Sequence, residues 1–144
     1  AVDELNGHIE RVLSLLDYAN LERVWIERVQ RDATQARRND IPSMFDLHIV
    51  RTDDSGATYE DTVSHLSESE REVVDLQFAL AGYLTHDVEE IVPFILLDSL
   101  EAIDAERIAD LIEYMQDHTT YLVAALLPED AEPLGDRHHY VEEI

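Results

Sequence analysis

His65-Leu66-Ser67-Glu68-Ser69-Glu70-Arg71, an apolar helix-like run behind it, and then Pro93-Phe94-Ile95-Leu96-Leu97-Asp98 decide how this chain folds. Leu-Ser-x-x-Glu would open a helix, either as an ordinary capping box, in which Ser67 caps the first turn and Glu70 answers it three residues on, or as a helix start that faces a phosphate. The free N–H groups and the positive dipole end of such a helix suit a phosphate. Val92 to Leu97 is almost wholly apolar, as strands buried on both faces are. It delivers Asp98 to a strand's C-terminal end, where Mg²⁺-bound phosphates are met in open α/β folds. Together these parts have the layout expected of half a nucleotide site. The other half is missing from the sequence: there is no G-x-x-x-x-G-K-[ST] and only 4 Gly, so nothing here can cradle β- and γ-phosphates alone.

Outward from that stretch, the pattern is mixed. From Ala1 to about Arg38 it predicts helix, with Val2, Leu5, Ile9, Val12, Leu16 and Ala19 on one seam, three and four apart. Leu21, Val24, Trp25, Ile26 and Val29 then widen the apolar face, as though a coiled-coil arm were docking on a body. A plain amphipathic surface helix explains the same residues. Asn39 to Ser43 breaks the helix, and Met44 to Arg51 alternates as a strand, with Phe45, Leu47 and Ile49 on one face. Asp53-Asp54-Ser55-Gly56 is a turn, and Ala57 to Val63 returns as the second arm of a hairpin.

Glu68 to Leu84 predicts a helix burying Val73, Val74, Leu76, Phe78, Leu80 and Tyr83. Val92 to Leu97, a helix over Asp104 to Asp117 and an apolar strand over Thr120 to Leu127 give the β-α-β order of a parallel sheet. Pro128 ends it, and the polar tail from Gly135 reads as flexible. The expected organisation is a helical arm over residues 1–40, a lobe over 41–134 and a tail over 135–144.

At 144 residues and 45% hydrophobic content the chain can bury one core. Its formal net charge is −23, and all 10 basic residues are Arg. Such self-repulsion destabilises a compact state in dilute buffer, but at roughly 1 M salt the Debye length is about 3 Å and the penalty is screened. The pattern therefore predicts a halophile's cytoplasmic protein. So acidic a surface repels phosphate backbones, so contact with DNA would need a local Arg patch or another chain. No cysteine is present, which excludes disulfides and thiolate metal sites, and no apolar run approaches membrane-spanning length. His138-His139 and His118 lack the spacing of a metal site, and Trp25 and Tyr18 read as packing residues.

In this order (arm helix, hairpin, Leu-Ser-x-x-Glu helix, apolar strand ending in Asp98, helix, apolar strand) the chain resembles the C-terminal half of an ABC-type ATPase head of the SMC (structural maintenance of chromosomes) family, in particular the SMC-related proteins of haloarchaea. The resemblance covers roughly residues 20–134 and implies an α/β fold, the C-terminal lobe of a P-loop NTPase-like head with an arm derived from a coiled coil. It also implies an ATP and Mg²⁺ requirement, a Walker A-bearing N-terminal half as partner, and a second head in an ATP-dependent dimer.

The resemblance assigns roles residue by residue. Leu66, Ser67, Glu68, Ser69 and Glu70 look like the signature motif that reaches the γ-phosphate held by the opposite head. Glu68 and Ser69 stand where the family has two glycines, and Glu68 brings negative charge towards a triphosphate. Asp98 looks like the Walker B aspartate that orders Mg²⁺; the bland alternative is a solvated loop aspartate or helix cap. The family's next residue is a glutamate that polarises water, and here it is Ser99, which implies slow hydrolysis. Glu101 is close enough in sequence to serve as base, though a solvated surface glutamate is the commoner outcome. Asp104 looks like the D-loop aspartate, one residue short in spacing, and also suits an N-cap. The chain has Leu126-Leu127-Pro128 where transporters place a γ-phosphate histidine, which favours SMC kin.

Two functions of different class follow. One is a composite ATPase head, inactive alone, that sandwiches Mg-ATP between two completed heads and couples it to the arms. The other is a non-enzymatic interaction module whose degenerate motifs serve packing.

Overall fold

A computed structural model describes residues 1–29 and 45–142. The chain opens with helix α1, Val2–Leu16, which buries Ile9, Val12, Leu13 and Leu16. Asp17 then turns left-handed (φ 41°, ψ 46°) and its N–H bonds to Leu13 O, ending the helix. Asn20 is also left-handed (φ 70°), and β1, Leu21–Arg28, begins straight after it. Helix predicted as far as Arg38 is thus corrected at Leu16. The seam of Leu21, Val24, Trp25 and Ile26 fits either element, and a partner strand decides for β-branched and aromatic residues. The remainder of the expected arm, the break at Asn39–Ser43 and the boundary at residue 40 lie outside the described residues.

β1 pairs antiparallel with β2, Phe45–Thr52, and β2 with β3, Thr58–Asp61, as the hairpin turn at Asp53–Gly56 requires. Gly56 takes φ 83° there, and Asp53 Oδ1 accepts from the N–H groups of Ser55 and Ala57. The outer edge of β1 is not bare: Asn6 of α1 donates from Nδ2 to Ile26 O and accepts from Ile26 N at Oδ1, both at 2.9 Å. The heptad-like seam therefore belongs to a core helix. α1 packs on β1, α2 and α3, so residues 1–29 are part of the body and not an arm standing off it.

Helix α2, Glu68–Thr85, buries Val73, Val74, Gln77, Leu80 and Ala81, a stripe at helical spacing facing α1. Gln77 is completely buried, and its Nε2 donates to Ile9 O at 2.9 Å. Strands β4, Phe94–Leu97, and β5, Tyr121–Ala124, pair in parallel and are joined by α3, Ala105–Gln116, which buries Ile108, Leu111, Ile112 and Met115. This is the expected β-α-β unit. Beyond β5, a short helix α4 (Pro128–Ala131) and a 3₁₀ turn (Glu132–Arg137) fold back on α3. Leu134 is buried and Arg137 approaches Glu113 at 3.5 Å, so the tail expected to be free from residue 135 is anchored at least as far as Arg137. Among the described residues no helix is long and apolar enough to cross a membrane.

Candidate functional site

The predicted helix opening forms as a reciprocal cap. Ser67 is extended (φ −65°, ψ 168°), its Oγ accepts from Glu70 N–H at 3.2 Å, and Glu70 Oε1 accepts from Ser67 N–H at 3.2 Å. The hydroxyl spends a lone pair in this cap and keeps its proton to donate outward. Leu66 is buried and anchors the loop, while Ser67, Glu68 and Ser69 are exposed at the tip.

Glu70 is itself held from below. Its Oε2 lies 2.6 Å from Arg51 Nη2, and Arg51 Nη1 meets Asp61 Oδ2 at 3.2 Å. Asp61 in turn bonds His65 Nδ1 at 2.6 Å and accepts from Thr62 N–H at 2.8 Å. The Thr62 amide, the His65 ring and Arg51 all favour its charged form and hold the Asp61 carboxyl below the ordinary 3.8. Strands β2 and β3 thus grip the approach to α2. Nothing in the motif marks Arg51, but its register does: it follows Phe45, Leu47 and Ile49 on one face of β2, so a charge stands in line with apolar residues and needs a partner there.

Asp98 follows the last residue of β4 and is exposed. Its Oδ1 accepts from Ser99 N–H at 2.9 Å, and Ser99 takes the left-handed conformation (φ 59°), which is rare for a residue with a Cβ. Buried Leu100 and Ile103 pin the loop on either side of exposed Glu101. Asp104 occupies the N-cap position of α3, makes no side-chain cap bond and is exposed.

A magnesium ion held mainly by phosphate and water asks the protein for one or two carboxylates. Exposed Asp98 fits that role. No group of three or more His, Asp or Glu among the described residues could hold a metal unaided.

Asp98 and Ser99 line an open groove of about 330 Å³ against Glu72, Asp75, Leu76 and Ala79 of α2. Ser67 is not among its lining residues, so this groove does not unite the two halves of the motif. Among the described residues three carboxylates and no basic residue line it, and a triphosphate approaching it would need cations beyond these.

The apolar strands are not covered on both faces, as their composition predicted. Ile95 and Leu97 point into the core, but Phe94, Leu96, Tyr121 and Val123 form the opposite face and are 56%, 65%, 65% and 57% exposed. Val92 and Leu127 extend the same apolar character at the ends of these strands. Parallel sheets are rarely left open on a face, and contiguous bare apolar surface marks a place where another surface docks.

On the other sheet, His48 lies stacked on Trp25 across the β1–β2 pair, with ring centroids 4.8 Å apart and planes 9° from parallel. Arg23 lies over Trp25 at 4.6 Å. His48 Nδ1 bonds Glu60 Oε1 at 2.6 Å and Nε2 lies 3.2 Å from Glu27 Oε2. The Glu60 hydrogen bond, aided by the charges of Glu60, Glu27 and Asp46, raises the His48 pKa above 6.5.

Comparisons with known proteins match this architecture. No family model matches the chain. Solved SMC structures do match: one described for ATP-driven dimerization and DNA-stimulated activation of SMC ATPases aligns over 94% of this chain and 74% of its own at a TM-score of 0.56 and 14% identity. The SMC head domain from Thermotoga maritima aligns over 94% and 42% at a TM-score of 0.52 and 21% identity. A Pyrococcus furiosus Smc head bound to the C-terminal domain of ScpA aligns over 91% and 30% at 0.53 and 16%. The α/β fold is that found in part of these SMC head domains.

Sequence narrows the kinship. The chain is 61% identical to Smc-like protein Sph3 of Haloferax volcanii over 134 residues, 93% of this chain and 20% of that protein. It is 54% identical to Smc-like protein Sph2 of Halobacterium salinarum over 139 residues, 94% of this chain and 21% of that one. Over nearly its whole length the chain is thus similar to haloarchaeal Smc-like proteins, and it spans about a fifth of the length of these relatives. A halophilic origin, expected from a net charge of −23 without lysine, fits those hosts.

Proposed function

We propose that the chain is one half of a composite ATPase head. An N-terminal, Walker A-bearing half covers the bare face of β4–β5, brings the triphosphate and Mg²⁺ to Asp98, and two heads so completed close on ATP through the Ser67 helix of each. The observation that carries this reading is the uncovered apolar face of a two-stranded parallel sheet, directly beside the strand end that presents Asp98. The acidic groove under Asp98 agrees with it, since the cationic groups for phosphate must arrive with the missing half.

Within the completed head, Ser67 donates its hydroxyl proton and the α2 N-terminal amides to a γ-phosphate oxygen across the dimer. Glu68 turns its side chain away from that phosphate. Asp98 would hold Mg²⁺, directly or through water, and Mg-ATP would supply the phosphoryl group. Ser99 is a poor base at neutral pH, and Glu101, two residues on, is the candidate base in its place, so hydrolysis is slow and bound ATP acts chiefly as an adhesive between heads. Asp104 contacts the opposing head from the N-cap of α3. Because Gln77 ties α2 to α1, movement of the Ser67 helix carries α1 with it and with it any coiled coil that precedes α1.

The test mixes the chain with an N-terminal half in molar salt and follows assembly by light scattering with and without Mg-ATP. Dimers of heads should form with Mg-ATP and be lost on Ser67→Arg while the one-to-one complex of halves persists. Indifference to both nucleotide and substitution would replace this reading with that of a non-enzymatic interaction module.

A further inference from the structure

The ion pairs of this protein differ in one respect that matters in molar salt. Arg107 with Asp17, Arg107 with Asp110 and Arg137 with Glu113 join side chains that are all 40% exposed or more. With a Debye length of about 3 Å such pairs contribute little. Arg51 is different. Its side chain is 16% exposed, and its partners Asp61 and Glu70 are 10% and 11% exposed. Contact pairs shielded in this way keep their strength when bulk screening removes the rest.

Arg51 also sits where it reaches both ends of the loop that presents Ser67. Through Glu70 it acts on the carboxylate that holds the Ser67 amide. Through Asp61 it acts on the carboxylate that holds His65, and Arg51 Nη1 itself lies 3.5 Å from His65 O. The guanidinium serves two carboxylates with its two terminal nitrogens and leaves Nε, buried, without a partner among the described residues. Such a fork holds position by charge from two directions at once.

The geometry points to Arg51 as the positioning residue of the Ser67 helix start, a clamp from the β2–β3 hairpin that fixes the direction in which the Ser67 hydroxyl and the first amides of α2 are presented. The role of that direction in joining two heads rests on the proposed function. The clamp itself is a property of this chain and can be tested apart from it.

The experiment measures amide hydrogen exchange residue by residue, in molar salt, on the chain with its N-terminal half where that half binds and on the chain alone otherwise. Arg51→Gln should speed exchange across residues 65–71 by about tenfold or more while α3 and β4 keep their protection. Glu70→Gln, which retains the reciprocal cap but removes the charge facing Arg51, should give the same local pattern at smaller size and serves if Arg51→Gln does not fold. Arg51→Lys should restore part of the protection through a single point charge. In the same samples Arg51→Gln should weaken Mg-ATP-dependent pairing of heads by about tenfold or more, with nucleotide binding to the single completed head unchanged.

Unchanged exchange at 65–71, or acceleration spread evenly over α3 and β4, overturns the clamp whether or not heads ever pair. Local acceleration with pairing unaltered confines Arg51 to the fold and overturns its positioning role. Absence of pairing in the unaltered protein overturns the proposed function, while the exchange result still decides the clamp.

Discussion

The two sheets of this lobe are built from similar residues and finished differently. In the antiparallel β1–β2–β3 sheet Asn6 bonds the edge of β1 at Ile26, Ile49 and Val24 are sealed in the core, and the other side carries the Arg23, Trp25 and His48 stack with Glu27 and Glu60 around it. In the parallel β4–β5 sheet one face meets the core and the other presents Phe94, Leu96, Tyr121 and Val123 to solvent. The first is self-sufficient, with polar groups arranged to face water. The second is apolar on both sides and half covered, which is the condition of a surface awaiting a layer.

The largest expected effect strikes both sheets together. With a formal net charge of −23, withdrawal of salt should unfold the chain in large part, read as loss of the helical circular dichroism signal on dialysis from molar to millimolar potassium chloride. A fully folded chain in dilute buffer would show that carboxylate repulsion is not held off by screening.

Next in size is the contrast across β4 itself. Leu97→Ala, at a position 4% exposed, should cost about 2–5 kcal/mol in denaturant titrations in molar salt. Leu96→Ser, one residue away on the bare face, should change stability by no more than about 0.5 kcal/mol. Equal costs would mean that the face is covered in the free chain. On the other side of the molecule, Ser67→Ala removes half of the reciprocal cap and should cost about 1 kcal/mol, less than Leu97→Ala and more than Leu96→Ser.

The smallest effect belongs to the self-sufficient sheet. His48 has its pKa raised above the ordinary 6.5 in the folded state, so its contribution to stability is complete below that value and fades as pH rises through the folded value. Melting temperature should therefore fall slightly from about pH 6 to about pH 8, and His48→Gln should flatten that slope. A slope of the opposite sign would mean that burial against Trp25 outweighs Glu60 and Glu27.

Much of this contrast can be read from the chain alone, for reasons that differ by element. Val92 to Leu97 announces a parallel strand because a run apolar at every position has no other stable home, and Leu-Ser-x-x-Glu announces a cap because its bonds are local. What composition cannot convey is that one face of that strand stays exposed among the described residues, since a run apolar on both faces reads the same whether one face is covered or two. The segment Leu21–Arg28 misleads because its apolar spacing satisfies helix and strand alike, and pairing with β2 decides between them. Among the candidate site residues, Ser67, Glu70 and Asp98 stand where the pattern puts them, on a helix start and a strand end. Arg51 escapes the motif because its role arises from contacts 10 and 19 residues away in sequence, and the register of β2 is the one signal for it.

The central claim is that the bare face of β4–β5 is an interface, and calorimetric titration of an N-terminal half into this chain in molar salt tests it most directly. The account predicts binding with a markedly negative heat-capacity change, abolished by Leu96→Glu with Val123→Glu while the chain stays folded. Binding with undiminished affinity and heat capacity in that double variant would place the contact elsewhere and contradict the claim.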